Sequence, residues 1–286
     1  MSKILVTGGA GFVGTNLIIQ LQKLGHDVVS IDNYSIGRKN NHQSGVNYIE
    51  GDVNDIFQLI QNDFDICFHL AGLSRIQPSF EDPERTFKAN TQGTLKVLEW
   101  AKNNTTKVIY SGSSSKHHDP KISPYAMFKF LGEEICKLYR VTFKMNVEIV
   151  RFYNVYGPYE IIDGKWAALI GKWRGQIKEG EPLTIVGDGN QRRDFTHIID
   201  IVDGLIKIGF SKETQEDGWE LGSGKNYSIN EVFEMFQKCF NVKPKFVLNQ
   251  KGNYKETLRE SDEAINLLGW KPKDRLHDYI LNLKND

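Results

Sequence analysis

Tyr125 and Lys129 stand four residues apart in Ser123-Pro124-Tyr125-Ala126-Met127-Phe128-Lys129, a stretch that reads as the first turn of a helix. At that spacing two side chains share one helix face. A phenol with its ordinary pKa of about 10 is a poor base, but a cation held beside it favours the phenolate, and a lowering of about three units takes about 4 kcal/mol of differential stabilisation. A tyrosine tuned in this way could move a proton on and off a hydroxyl near neutral pH. The same spacing also occurs on ordinary helix surfaces, so the rest of the chain must decide.

The elements needed to position such a pair are legible from the N-terminus onward. Lys3-Ile4-Leu5-Val6-Thr7 reads as a buried strand running into Gly8-Gly9-Ala10-Gly11-Phe12-Val13-Gly14, and a helical pattern follows through Leu17, Ile18, Leu21 and Leu24. Glycines 8, 11 and 14 allow a tight turn, close approach of backbone amides to a pyrophosphate, and tight packing of helix on strand. A glycine-rich string alone also fits a plain turn; here the context is strand, turn, helix. A second strand, Asp27 to Ile31, stops at Asp32, where the ribose hydroxyls of NAD would be held and the extra phosphate of NADP disfavoured. Asp32 opening an Asx turn with Asn33 is the alternative, and Arg38 nearby leaves NADP open.

A third strand, Val46 to Ile49, ends at Gly51-Asp52-Val53, and a fourth, Asp65 to Leu70, ends at Ala71-Gly72. Strand C-termini line the ligand crevice of a doubly wound sheet, which places Asp52 and Val53 around the adenine and lets a cofactor pass close to Ala71 and Gly72. His69 is expected to point into the sheet, and Asn90, inside a long helix from Pro83 to Asn103, to serve a structural hydrogen bond. A fifth strand, Lys107 to Tyr110, leads into the hydroxyl run Ser111-Gly112-Ser113-Ser114-Ser115, where a substrate would meet the nicotinamide. A sixth, Val147 to Phe152, ends in Asn154-Val155-Tyr156-Gly157-Pro158. Six strands alternating with helices predict an α/β fold, a Rossmann-type doubly wound parallel sheet. Beyond Pro158 the elements become short and mixed, which predicts a smaller substrate-binding domain over 159–286, with about 191–222 rejoining the NAD-binding domain of 1–158.

Composition narrows the functional classes. The chain has 286 residues with Lys+Arg 36 against Asp+Glu 36, and this zero formal balance gives no reason to expect nucleic acid or an acidic membrane surface. No apolar run reaches the roughly 20 residues needed to cross a bilayer. The first strand begins almost at the initiator methionine, leaving no room for a signal peptide. The three cysteines, Cys67, Cys136 and Cys239, are far apart in apolar patterns and indicate neither a disulfide framework nor a metal site. A reducing cytoplasm is the expected location.

Taken together, these motifs resemble the extended short-chain dehydrogenase/reductase family, in particular its NAD-dependent nucleotide-sugar epimerases and dehydratases, the branch that includes UDP-glucose 4-epimerases. The resemblance spans nearly the whole chain. It rests on Thr7 to Gly14, Asp32-Asn33, Gly51 to Val53, His69 to Gly72, Ser111 to Ser113, Ser123 to Tyr125 with Lys129, Arg151 to Pro158, Gln191 to Thr196, and Leu267 to Pro272. It implies NAD contacts at Gly8, Gly11, Phe12, Val13, Gly14, Asp32, Asn33, Asp52, Val53, Leu70, Ala71, Gly72, Tyr125 and Lys129. It implies that Tyr125 takes a sugar hydroxyl proton, that Lys129 holds the nicotinamide ribose and depresses the Tyr125 pKa, and that Ser113 hydrogen-bonds the reacting oxygen, with Ser114 or Ser115 in its place under a shifted register. Asn154 and Arg193 would hold the diphosphate of a nucleotide-diphosphate sugar, and the helices around Asn90 and Tyr125 would pair with their copies in a homodimer.

Two departures bear on the reaction. Dehydratases carry an Asp-Glu pair after the serine site, where this chain has Ser114-Ser115-Lys116-His117-His118, in a loop shorter than in most relatives. Many relatives grip uridine diphosphate with an Arg-Pro-Gly-Asp string, where this chain reads Gln250-Lys251-Gly252-Asn253. The resemblance therefore implies 4-epimerisation through a transient keto sugar. A dehydratase or decarboxylase is the enzymatic alternative, and a non-catalytic NAD-binding sensor or scaffold the alternative from another class.

Overall fold

The computed structural model describes residues 1–285. Its strands are β1 (Lys3–Thr7), β2 (Asp27–Asp32), β3 (Asn47–Glu50), β4 (Ile66–His69), β5 (Lys107–Ser113), β6 (Val147–Phe152), β7 (Leu183–Val186), β8 (Arg192–Asp194), β9 (Trp219–Leu221), β10 (Asn226–Ser228) and β11 (Pro244–Val247). Along β1, Ile4 and Val6 face one side and Leu5 the other, and all three are fully buried. A strand apolar on both faces must be covered on both. Helices Phe12–Lys23 and Ile198–Phe210 cover one face through Leu17, Ile18, Ile201 and Leu205. Helices Gly93–Asn103 and Pro124–Phe143 cover the other through Val97, Leu98, Trp100 and Cys136.

Seven strands pair in the order β3-β2-β1-β4-β5-β6-β9, every pair parallel. The doubly wound sheet expected from the sequence is present, with β9 added as a seventh strand beside β6. The order reverses on either side of β1, so the loops leaving β1 and β4 diverge and open a crevice at their C-terminal ends. Two small pairs lie outside this sheet, β10 antiparallel to β8 and β11 parallel to β7. A separate apolar cluster built on Trp173, Ile185, Phe233, Phe236 and Leu276 supports them.

Two local differences from the sequence reading matter for the site. β5 runs on through Ser113, because Gly112 and Ser113 stay in register with Arg151 and Phe152 of β6. The helix read as continuous over Pro83 to Asn103 contains a π-turn at Lys88–Gln92. There the Asn90 amide clamps Leu73, donating to its carbonyl at 2.9 Å and accepting from its N–H at 2.7 Å. A π-turn admits one extra residue into the helix and changes the direction of its side chains. Here it fixes the chain just past β4. His69 does point inward, between Thr7 Oγ1 at 2.8 Å and Thr94 Oγ1 at 3.1 Å, and burial pulls its imidazole down to about 3.

Candidate active site

The crevice is shaped by positions where only glycine fits. Gly8 has φ +74°, and a Cβ on it would stand 2.8 Å from the Ala71 nitrogen; a Cβ on Gly14 would stand 2.3 Å from the Gly8 carbonyl oxygen. Helix Phe12–Lys23 starts at Gly11 with no side-chain cap and no acidic residue in its first turn. Its leading amides are therefore available to an anion, with the positive end of the helix dipole behind them. Gly8, Gly11, Phe12, Val13, Gly14, Asp32, Asn33, Asp52, Val53, Leu70, Ala71, Gly72 and Lys129 all line this one cavity.

Asp32 closes its far end. Its carboxylate accepts the Ala10 N–H at 2.9 Å and the Tyr34 N–H at 2.8 Å, the latter the Asx turn that was the alternative reading of Asp32. Burial raises its pKa, and the two backbone hydrogen bonds oppose that rise. Gly37 passes so close that a Cβ there would lie 2.8 Å from both carboxylate oxygens. Asn33 and Asp52 are tied to each other, Asn33 Nδ2 donating to Asp52 Oδ2 at 2.7 Å.

At the other end, the N–H of Ala126 bonds Ser123 Oγ at 3.1 Å, a cap that together with Pro124 starts the Tyr125 helix. The Tyr125 N–H donates to Ser79 Oγ at 3.1 Å. With its backbone held from two sides, Tyr125 presents its hydroxyl to Ser113 Oγ at 3.2 Å. Ser115, rather than Ser114, completes the group, donating to Ser113 Oγ at 2.9 Å. Burial raises the Tyr125 phenol, while the Ser113 hydrogen bond and the Arg75 guanidinium oppose the rise. The Lys129 ammonium is turned to the Ser111 carbonyl at 2.8 Å, and burial pulls it down to about 8.

Arg193 and Asn154 lie apart from that group, beside the smaller apolar cluster. Arg193 on β8 donates to its neighbour's carbonyl at 2.8 Å and to Asn253 Oδ1 at 2.5 Å. It forms no ion pair among the described residues, and burial pulls its guanidinium down to about 10. Asn154, at φ +28°, spends its amide N–H groups on the Asp194 carbonyl and Thr257 Oγ1, both at 3.1 Å.

Several groups at the site have no local sequence signature. Glu133 receives the Ser113 N–H at 3.3 Å and pairs with Arg151 at 2.9 Å, both side chains 1% exposed. His117 is engaged by Glu220 and, at 3.1 Å, by Glu260, and these carboxylates raise its pKa. Arg75, Glu160 and Trp166 line the cavity opposite the glycine turn. Each reaches the site through tertiary packing. For Arg75 the available signal was its place just past the end of β4.

Fold and cavity together define a protein of the Rossmann class, with a crevice for a dinucleotide at the C-terminal ends of its parallel strands. The profile of the NAD dependent epimerase/dehydratase family matches residues 4–220, and the chain belongs to that family. It is 28% identical over 302 residues to a putative UDP-glucose 4-epimerase of Methanocaldococcus jannaschii, covering 99% of this chain and 97% of that protein. It is 30% identical over 295 residues to UDP-glucuronic acid decarboxylase 4 of Arabidopsis thaliana, covering 95% of this chain and 65% of that protein. Among solved structures, UDP-glucuronic acid 4-epimerase from Bacillus cereus in complex with UDP-glucuronic acid and NAD superposes with a TM-score of 0.88 at 28% identity, covering 99% of this chain and 98% of that one. The glycine cradle, the uncapped helix start and Asp32 fit NAD.

Proposed function

We propose that the protein is a nucleotide-diphosphate-sugar 4-epimerase in which Tyr125 is the acid/base group. The observation that carries this reading is the Tyr125–Ser113 hydrogen bond of 3.2 Å, with Lys129, one turn further along the Tyr125 helix, lining the cavity. Bound NAD supplies a reversible hydride acceptor. Ser113, held by Ser115, orients a substrate hydroxyl toward the phenol, and Tyr125 removes its proton and later returns it to the same oxygen. Lys129 orients the nicotinamide ribose, and Arg193, a half-buried guanidinium without an ion-pair partner among the described residues, pairs with the diphosphate. Asn154 has its N–H groups occupied and serves through its carbonyl or by shaping the turn.

Water elimination needs an additional acid and base beside the serine. Ser114 and Ser115 occupy those positions, and His117 is committed to Glu220 and Glu260. This supports epimerisation over dehydration. Decarboxylation is the second reading, favoured by the UDP-glucuronic acid decarboxylases among the relatives. Incubation with a panel of UDP-, GDP- and dTDP-linked sugars followed by product analysis tests the proposal: a 4-epimer at unchanged mass supports it, and loss of carbon dioxide or water from the sugar refutes it.

A further inference from the structure

Both ring nitrogens of His117 face carboxylates. Nε2 meets Glu220 of β9, and Nδ1 lies 3.1 Å from Glu260 Oε2, in the segment between β11 and helix Glu263–Leu268. A neutral imidazole carries one N–H and would turn a bare lone pair toward one of these oxygens, whereas the imidazolium donates to both. Glu220 is buried, and its other oxygen accepts the Tyr153 hydroxyl at 2.7 Å and the Glu260 N–H at 2.8 Å. Inward from Glu220 the charges alternate toward the serine site. Glu220 lies 3.5 Å from Arg151, Arg151 pairs with Glu133 at 2.9 Å, and Glu133, on the Tyr125 helix, accepts the Ser113 N–H at 3.3 Å. Arg151 also meets Asp217 at 3.0 Å, and a guanidinium shared among three carboxylates leaves Glu220 dependent on His117. A buried carboxylate short of a cation is costly.

We infer that His117, as the imidazolium, is a positioning residue for the serine turn, fixing Ser113 and Ser115 by tying their segment to β9 and to the chain after β11. This rests on the reading of Ser113 as the group that orients the substrate hydroxyl. The turn itself is small: the Ser115 N–H and hydroxyl go to Ser113 Oγ at 3.2 and 2.9 Å, and the His118 N–H goes to the Ser115 carbonyl at 3.1 Å. His117 lies inside it. The chain on the far side of the tether carries Tyr254, whose ring stacks on His118 at 3.9 Å, and Thr257, which accepts from Asn154. The charged and titratable groups that face His117 are Glu220 from β9, Glu260 from the segment after β11, Arg151 from β6 and His118 from its own segment. Lys116 is turned to Asp217, 3.9 Å away. The Glu220 hydrogen bond raises the imidazole pKa, with burial and Arg151 opposing. With its folded pKa above the unfolded value of about 6.5, the tether is complete below that value and is lost as the pH rises through the folded one.

The test begins with NMR titration of the imidazoles in the full-length protein, where His117→Gln assigns one signal among 7 histidines. The His117 midpoint is expected about one pH unit or more above 6.5, and Glu260→Gln, which neutralises the more exposed partner, to lower it. Amide hydrogen exchange compared at equal pH reads the positioning. Below the midpoint, the Ser115 and His118 amides are expected to exchange about tenfold faster in His117→Gln than in wild type, and above it the difference should close. His117→Lys keeps a cation and should keep the slow exchange on both sides of the midpoint. Where turnover is measured, the ratio of wild-type to His117→Gln kcat falls toward one across the same midpoint. A midpoint at or below about 6.5 overturns the inference, as do exchange differences that stay flat with pH, which would make His117 a packing element only. Fast exchange in His117→Lys also overturns it, by showing that charge is not what holds the turn. Should His117→Gln not fold, Glu260→Gln carries the same comparison through its lowered midpoint. Because midpoint and exchange need no substrate, they remain decisive if the panel of sugars refutes the epimerase reading.

Discussion

Arg193 Nη2 donates to Asn253 Oδ1 at 2.5 Å, so the arginine meets a neutral amide in place of a carboxylate. A carboxylate at that place would have neutralised the guanidinium. The amide leaves its charge available, which supports the proposal that Arg193 holds the diphosphate. Losing a charge-assisted hydrogen bond costs about 1.5–3 kcal/mol, roughly a ten- to hundredfold rise in dissociation constant. Arg193→Ala is expected to weaken nucleotide-sugar binding at least tenfold while NAD stays bound. Calorimetry with UDP and GDP checks it, and affinities within twofold of wild type for both would remove Arg193 from the site.

Tyr125→Phe keeps the ring packing and deletes the hydroxyl that meets Ser113. General acid/base groups contribute about 10²–10⁴ in rate. The variant is expected to fold, to bind NAD as wild type does, and to turn over at least 10²-fold more slowly. Turnover at the wild-type rate in the purified variant would end the assignment.

The parts of this site legible in the sequence are those whose cause is local. Gly8, Gly11 and Gly14 follow a strand and open a helix within one short stretch, and Asp32 ends the next strand, so both ends of the cofactor cavity could be placed from spacing alone. The Tyr125/Lys129 pair was legible for the same reason, one helical turn apart behind a Ser-Pro start. Where the Lys129 ammonium points was not legible. It is drawn to the Ser111 carbonyl of β5, a contact between helix and strand that spacing along the chain does not encode. β8 and β10 have three residues each, too few for an alternating pattern to register. The π-turn at Lys88–Gln92 is set by the fit of Asn90 to Leu73, a contact between elements that no local pattern encodes.

The helices on one side of the sheet leave large apolar groups in water. On Pro83–Phe87, Gly93–Asn103 and Pro124–Phe143, Phe87, Leu95, Leu138, Val141 and Phe143 are exposed, Val141 by 66%. Large apolar side chains exposed on neighbouring helices are what an interaction surface leaves in the isolated chain. The proposed occupant is a second copy of the chain, these helices packing on their copies across a two-fold axis. Light scattering at micromolar concentration is expected to give twice the chain mass of 32.7 kDa. A charge placed at the centre of the patch, Val141→Glu, should shift the protein toward monomer; a monomer mass for the wild type would count against the dimer.

Asp32 is the residue we propose sets the choice between NAD and NADP. Its carboxylate lies at the cavity end beside Gly37, already holding the Ala10 and Tyr34 amides, and each oxygen keeps a second lone pair for a ribose hydroxyl. A phosphate on that hydroxyl would bring a second negative charge against a half-enclosed carboxylate. Arg38, the nearby cation that would favour such a phosphate, is paired with Asp163. The wild type is therefore expected to bind NAD more tightly than NADP. Asp32→Asn keeps acceptance from only one of the two backbone amides and removes the charge, so it should narrow the preference at some cost to the local turn. Asp32→Ala removes both and should cost NAD affinity as well, by about tenfold for one lost hydrogen bond of about 1.5 kcal/mol. If Asp32 serves only the Asx turn, Asp32→Asn will leave the ratio of the two affinities where it was. Calorimetric titration of both cofactors into the three proteins separates these outcomes, and a wild-type preference for NADP would refute the assignment.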